Sequence, residues 1–173
     1  MTNFLRIMTC SCLFVVMSLA GPRLHAQDNG RSRIKASALK VEMIQADEIK
    51  LPAEFQVALY ENLIQQLEKK ADFLHVYRDG DRNAANVLDL VVLHSTVRGF
   101  KQGNEKTRQV TTVAGATSIT IHCKFTDNQG RVVLEQDVNG KVRFFGDNLK
   151  ATYDFAKKAA GIVSENFSAI GRS

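Results

Sequence analysis

The stretch from Ser118 to Phe144 constrains the fold of this chain most. Ile119, Ile121, Cys123 and Phe125 alternate with Ser118, Thr120, His122 and Lys124, the two-residue period of a strand with one face on a core and the other in water. Thr126, Asp127, Asn128, Gln129, Gly130 and Arg131 then supply turn chemistry. On the return, Leu134, Val138, Val142 and Phe144 share one side, and Glu135, Asp137, Asn139, Lys141 and Arg143 share the other. Such a hairpin builds antiparallel sheet, and apolar partners must cover one of its faces.

Two segments have the pattern to do so. Pro52 can open a helix where its missing amide costs nothing. Phe55, Leu59, Leu63 and Leu67 then recur every fourth residue with Tyr60 and Ile64 beside them, while Glu54, Gln65, Gln66, Lys69 and Lys70 lie toward the other side. Asp147 or Asn148 can cap a last helix, in which Phe155, Ala159, Ile162, Val163 and Phe167 form an apolar stripe against polar Lys150, Lys157, Lys158 and Glu165. Ala151, Ala156, Ala159 and Ala160 favour that helix and permit close approach to a sheet.

Further strands are expected at Leu39 to Met43, where Lys40 and Glu42 alternate with apolar residues, at Phe73 to Tyr77, and at Val87 to Val97. Within the last of these, Leu90, Val91, Val92 and Leu93 are apolar on both alternating sets, which suits a central strand buried on both faces. Gly99 to Lys106 reads as a polar loop, and Asp79 to Asn83 as a turn. The order β-α-β-β-β-β-α predicts an α+β two-layer sandwich: a mostly antiparallel sheet of about five strands, with two helices on one face.

The amino-terminal end has the three parts of an export signal: Arg6, an apolar run from Ile7 to Ala20, and small Ala26 before Gln27. The run has about 14 residues, short of the ~20 a spanning helix needs. Residues 1–26 are therefore expected to be a cleaved secretory signal, 27–37 a flexible polar leader, 38–168 one α+β domain and 169–173 a tail. Cleavage would remove Arg6 and Arg23 but no acid, so the formal charge of +5 falls by two, to +3. So small a balance does not describe a nucleic-acid-binding track. Cys10 and Cys12 sit near the start of the apolar run, so neither lipid attachment nor stable membrane anchoring is expected. Cys123 remains alone and cannot form an internal bridge.

Catalytic and metal chemistry find no foothold. His75, His94 and His122 fall on three different strands without short ligand spacing, and His122 and Cys123 point to opposite faces. Cys123 is expected among Ile121 and Phe125 as a small core residue. No strained Gly-x-Ser-x-Gly turn presents a hydroxyl, and no glycine loop leads into a phosphate-binding helix. Among the acids, only Asp89, beside the apolar run, is expected in an unusual setting. The expectation is a noncatalytic protein without cofactor or metal.

From about Val87 onward the chain resembles bacterial envelope proteins of the family known as domain of unknown function 4410. The residues that carry the resemblance are Gly99, Phe100, Gly103, Asn104 and Arg108, then Asp127, Gly130, Val133, Leu134, Gly140 and Gly146. The chain departs from that family in lacking a convincing acylation cysteine and in having only Gly115 between Val110 and Ser118. The resemblance implies an envelope location and a related fold, and brings no catalytic residues with it. On this basis the chain is expected to be an exported envelope module, periplasmic or otherwise, that binds a protein or another envelope component. Its expected surface is Thr120, His122, Lys124, Glu135, Asp137, Lys141 and Arg143, a mixed-charge sheet face. The alternative is a periplasmic carrier whose small apolar ligand sits among Phe55, Phe125, Phe144 and Phe155.

Overall fold

The computed structural model describes residues 32–110, 115–143 and 147–170. The expected signal, the first part of the leader, Phe144, Gly146 and the last three residues lie outside them. In chain order the elements are β1 (Ile34–Ala36), β2 (Ala38–Val41), α1 (Ala53–Lys70), β3 (His75–Tyr77), a 3-10 turn (Arg82–Asn86), β4 (Leu90–Lys101), α2 (Glu105–Val110), β5 (Thr117–Thr126), β6 (Val132–Val142), α3 (Lys150–Asn166) and β7 (Phe167–Ala169). Five strands form one sheet in the order β3-β2-β4-β5-β6. The β2–β3 and β2–β4 pairs are parallel and short, whereas the long β4–β5 and β5–β6 pairs are antiparallel. The predicted α+β class holds, with α1 and α3 packed on one face of the sheet.

The hairpin from β5 to β6 is fixed by one side chain. Asp127 Oδ1 accepts from the amides of Gln129 (2.9 Å) and Arg131 (3.0 Å), and its Oδ2 accepts from Arg131 Nε at 2.7 Å. Gly130 takes the left-handed conformation the turn requires, with φ at 77°. The turn sets the register, which places Ile121 opposite Val138 on the core side and His122 opposite Asp137 on the other.

Helix α1 buries Phe55, Leu59, Tyr60, Leu63, Ile64 and Leu67 as its spacing predicts. The Tyr60 hydroxyl ties it to the sheet, donating to the Val41 carbonyl (3.2 Å) and accepting from the Asp79 amide (2.8 Å). Gln66, expected toward water, is instead buried. Asn62, one turn earlier on the same face, donates to Thr152 Oγ1 of α3 at 2.8 Å, so this flank of α1 meets the other helix.

Helix α3 sits close to β6 because its contact face is mostly alanine: Ala151, Ala156, Ala159 and Ala160 are all buried. Gly140 of β6 lies directly beneath it. A Cβ there would collide with the Ala151 carbonyl oxygen and stand 2.7 Å from Phe155 Cβ.

Four expectations need correction. In β4, Val91, Leu93, Ser95 and Val97 are buried, but Leu90, Val92, His94 and Thr96 are only half-buried. The strand is central yet covered on one face, since both long helices lie on the same side. The expected Gly99–Lys106 loop is shorter: β4 continues through a bulge between Val97 and Gly99 to Lys101. Asn104 then caps α2, its Oδ1 accepting from the Lys106 and Thr107 amides at 3.0 and 3.3 Å. Phe167 does not extend the helical stripe but begins β7, packed against Phe125 and Phe73 at centroid distances of 5.3 and 6.0 Å. That anchor draws β7 alongside β1 as a parallel pair, Ile34 to Ala36 matching Phe167 to Ala169. The end of the expected leader and the start of the expected tail are thus strand.

Candidate interaction surface

The face of the sheet opposite the helices carries most of the residues the sequence singles out. Thr120, His122 and Lys124 project from β5, opposite Asn139, Asp137 and Glu135 of β6. The His122 ring is held at both ends, with Nδ1 2.7 Å from Asp137 Oδ1 and Nε2 2.7 Å from Glu135 Oε1. Ionised carboxylates only accept hydrogen bonds, so both contacts are satisfied when each ring nitrogen carries a proton. Thr120 Oγ1 accepts from Asn139 Nδ2 at 2.8 Å, which orders the next pair along the hairpin. Lys141 and Arg143 are exposed but stand apart: Lys141 is opposite Ser118, and Arg143 follows the end of β6.

A second polar group on this face escaped the sequence reading. His94 of β4 has Nδ1 2.7 Å from Glu42 Oε2 and Nε2 3.0 Å from Thr126 Oγ1. Lys40 approaches Glu42 at 3.6 Å and Asp79 at 4.0 Å. The alternation of Lys40 and Glu42 with Leu39 and Val41 marked them as outward-facing. Nothing local shows that β2 pairs with β4 across some fifty residues, and that pairing brings Glu42 to His94.

The remaining candidates separate as follows. Cys123 is buried, and desolvation pushes its thiol up to about 12, with the Ser95 hydroxyl on β4 pulling the other way. His75 is exposed on β3 beside Tyr77. Among the described residues no three His, Cys, Asp or Glu side chains are placed to hold a metal ion. The carboxylates on His122 illustrate why, since they occupy opposite ring nitrogens. Phe55, Phe125 and Phe155 are fully buried, and the hollow beside Cys123, Phe125 and Ile162 leaves no room for a water-sized molecule.

Two open grooves flank the sheet. One of about 530 Å³ lies at the end of β2, where Glu42, Asp47 and Asp79 make its lining acidic. The other, of about 510 Å³, runs between β6 and α3 over Val138, Gly161 and Ile162. Among the described residues no helix is long and apolar enough to cross a membrane.

No protein-family model matches the chain, and no curated protein matches it in sequence. Solved structures do share its fold. PelC from Paraburkholderia phytofirmans, described as a dodecamer, superposes with a TM-score of 0.56 at 12% identity, covering 76% of this chain and 89% of PelC. A substituted PelC dodecamer gives 0.54 at 12% identity, with 77% and 90% covered. The protein XCC0632 from Xanthomonas campestris, of the family DUF330, reaches 0.45 at 16% identity, with 75% and 81% covered.

Proposed function

We propose that this chain is an exported, noncatalytic module of a bacterial cell envelope that binds a protein or another envelope component through the uncovered face of its sheet. The observation that carries the reading is the ordered polar lattice on that face. His122 is clamped between Glu135 and Asp137, and His94 between Glu42 and Thr126. A surface whose charged groups are already held by neighbours loses little side-chain freedom when a partner arrives, and its pattern of charge selects which partner fits. The export pattern at residues 1–26 and the resemblance to domain of unknown function 4410 support the envelope location.

The test is in-cell crosslinking and affinity capture of the tagged protein from separated envelope fractions. A variant with Lys141 and Arg143 both changed to Glu is run alongside one with His122, Glu135 and Asp137 changed to Gln, Gln and Asn. The expected result is one partner recovered in stoichiometric amount and lost from at least one variant that retains the parent's thermal midpoint. Equal capture by parent and both variants would remove the binding role from this face. Because PelC is described as a dodecamer, the captured species is also weighed, which separates contact between copies from contact with another protein.

A further inference from the structure

We infer that the part of β6 at Glu135–Asp137 is a docking edge for an extended polypeptide segment of a partner protein, one that alternates Lys or Arg with apolar residues. This rests on the proposed binding role of the sheet and assigns it a place and a partner chemistry. Strand β6 ends the sheet, so one row of its backbone groups points away from β5. Two of those groups are covered by α3. The Lys141 amide donates to Asp154 Oδ2 at 2.9 Å, and the Asn139 carbonyl accepts from Lys158 Nζ at 2.9 Å. Asp154 and Lys158 are themselves paired at 2.6 Å. Alternate residues of a strand present their backbone to the same side, so Glu135 and Asp137 also direct N–H and C=O outward. Among the described residues no hydrogen-bond partner meets them. The helix guards one half of the edge and leaves the other half open to strand addition.

The surroundings of the open half define what fits. On the helix side lies the groove over Val138, Gly161 and Ile162, where a Cβ at Gly161 would have nothing within 4 Å. On the opposite side stand Glu135 and Asp137, with side chains 49% and 61% exposed and the His122 ring between them. Glu165 adds a further acid at the groove. An added strand therefore turns one set of alternating side chains toward this groove, where Gln136, Lys158 and Glu165 border Val138, Gly161 and Ile162, and the other toward the Glu135 and Asp137 carboxylates. A second copy of β6 is the wrong occupant, because it brings its own Glu135 and Asp137 against these and like charges across a strand pair repel.

The experiment is amide hydrogen exchange by NMR on the purified protein, with a synthetic peptide of about eight residues, the span of a typical strand, alternating Val and Lys. An alternating Val and Glu peptide is the control. The expected result is that the Lys peptide slows exchange at the Glu135 and Asp137 amides by about tenfold or more, while the Glu peptide leaves them unchanged. Glu135→Pro removes one outward N–H without touching the ladder to β5, a substitution that edge strands tolerate, and should abolish the effect. The double variant Glu135→Gln, Asp137→Asn keeps the backbone intact and should lose the preference for Lys. Exchange unchanged by the Lys peptide, or slowed equally by both peptides, overturns the inference. Cellular capture that survives Glu135→Pro but not the face substitutions overturns the edge alone, whereas capture that survives all of them overturns the binding reading beneath it.

Discussion

Replacing Gly140 with alanine is expected to destabilise the protein, and the structure gives both the sign and the size. The new Cβ would strike the Ala151 carbonyl and approach the Phe155 amide nitrogen to 2.9 Å and Phe155 Cβ to 2.7 Å. Two of those three neighbours are backbone of α3, which cannot rotate out of the way, so the helix must lift from β6. Overpacking of this kind costs about 1–3 kcal/mol. Removing a glycine also restricts the unfolded chain, which returns about 0.4–1 kcal/mol. The net loss is about 1–2 kcal/mol. Gly161 and Gly130 bracket the measurement. Gly161 lies within α3 with open space around it, so Gly161→Ala should gain about 0.5–1 kcal/mol from helix propensity alone. Gly130 also has open space but a φ of 77°, so Gly130→Ala should lose about 1 kcal/mol through backbone strain without any collision. Urea unfolding with the slope held as a check separates the three. With a slope of about 1.5 kcal/mol/M, the Gly140 and Gly161 variants should differ in midpoint by more than about 1 M. A Gly140→Ala midpoint at or above the parent's, with the slope unchanged, refutes the seating of α3 on this strand.

Two further predictions follow from titratable groups. Cys123, with its thiol pushed up to about 12 by burial, should resist a thiol-reactive disulfide reagent at pH 8 in the native protein and react fully in denaturant; rapid native labelling would show that β5 is not covered there. Desolvation raises the Asp127 carboxyl, but hydrogen bonds from Arg131 and Gln129 outweigh it and hold it below its ordinary 3.8. A depressed acid contributes stability that is present above its unfolded value and lost as pH falls through its folded value. The stability gap between parent and Asp127→Asn should therefore be open at neutral pH and close below about 3.8, and a gap independent of pH would show that the carboxylate charge does not hold the turn.

The hairpin was legible in the sequence because each of its determinants is local. Alternation fixes the two faces, and Asp127 with Gly130 fixes the turn, so the turn places His122 opposite Asp137. The helices were legible for the same reason, except where they touch each other: Gln66 looks solvent-facing until Asn62 is seen against Thr152. What escaped depends on contacts far apart in the chain. The β1–β7 pair joins three-residue segments with no periodicity to read, and the Glu42–His94 contact needs β2 to lie beside β4. Leu90 and Val92 misled in the opposite direction. Their apolar character suggested a second covering layer, yet they are half-buried among the polar groups of the uncovered face.

That apolar pair also bears on how the fold divides its labour. Core packing on the helix side fixes the strands from one direction, through Val91, Leu93, Ile119, Ile121 and Phe125. Side chains on the other face can then be replaced without leaving a cavity in that core. Leu90 and Val92 supply apolar area at the start of β4, and His94 and His122 hold carboxylates farther along the same face. On this partly exposed face His94 and His122 each hold a carboxylate at 2.7 Å, an ordering that fits the proposed binding role. The Asp154–Lys158 cover over one half of β6 points the same way. The edge proposed for docking is guarded at Asn139 and Lys141 and, among the described residues, open at Glu135 and Asp137, the division that strand addition needs.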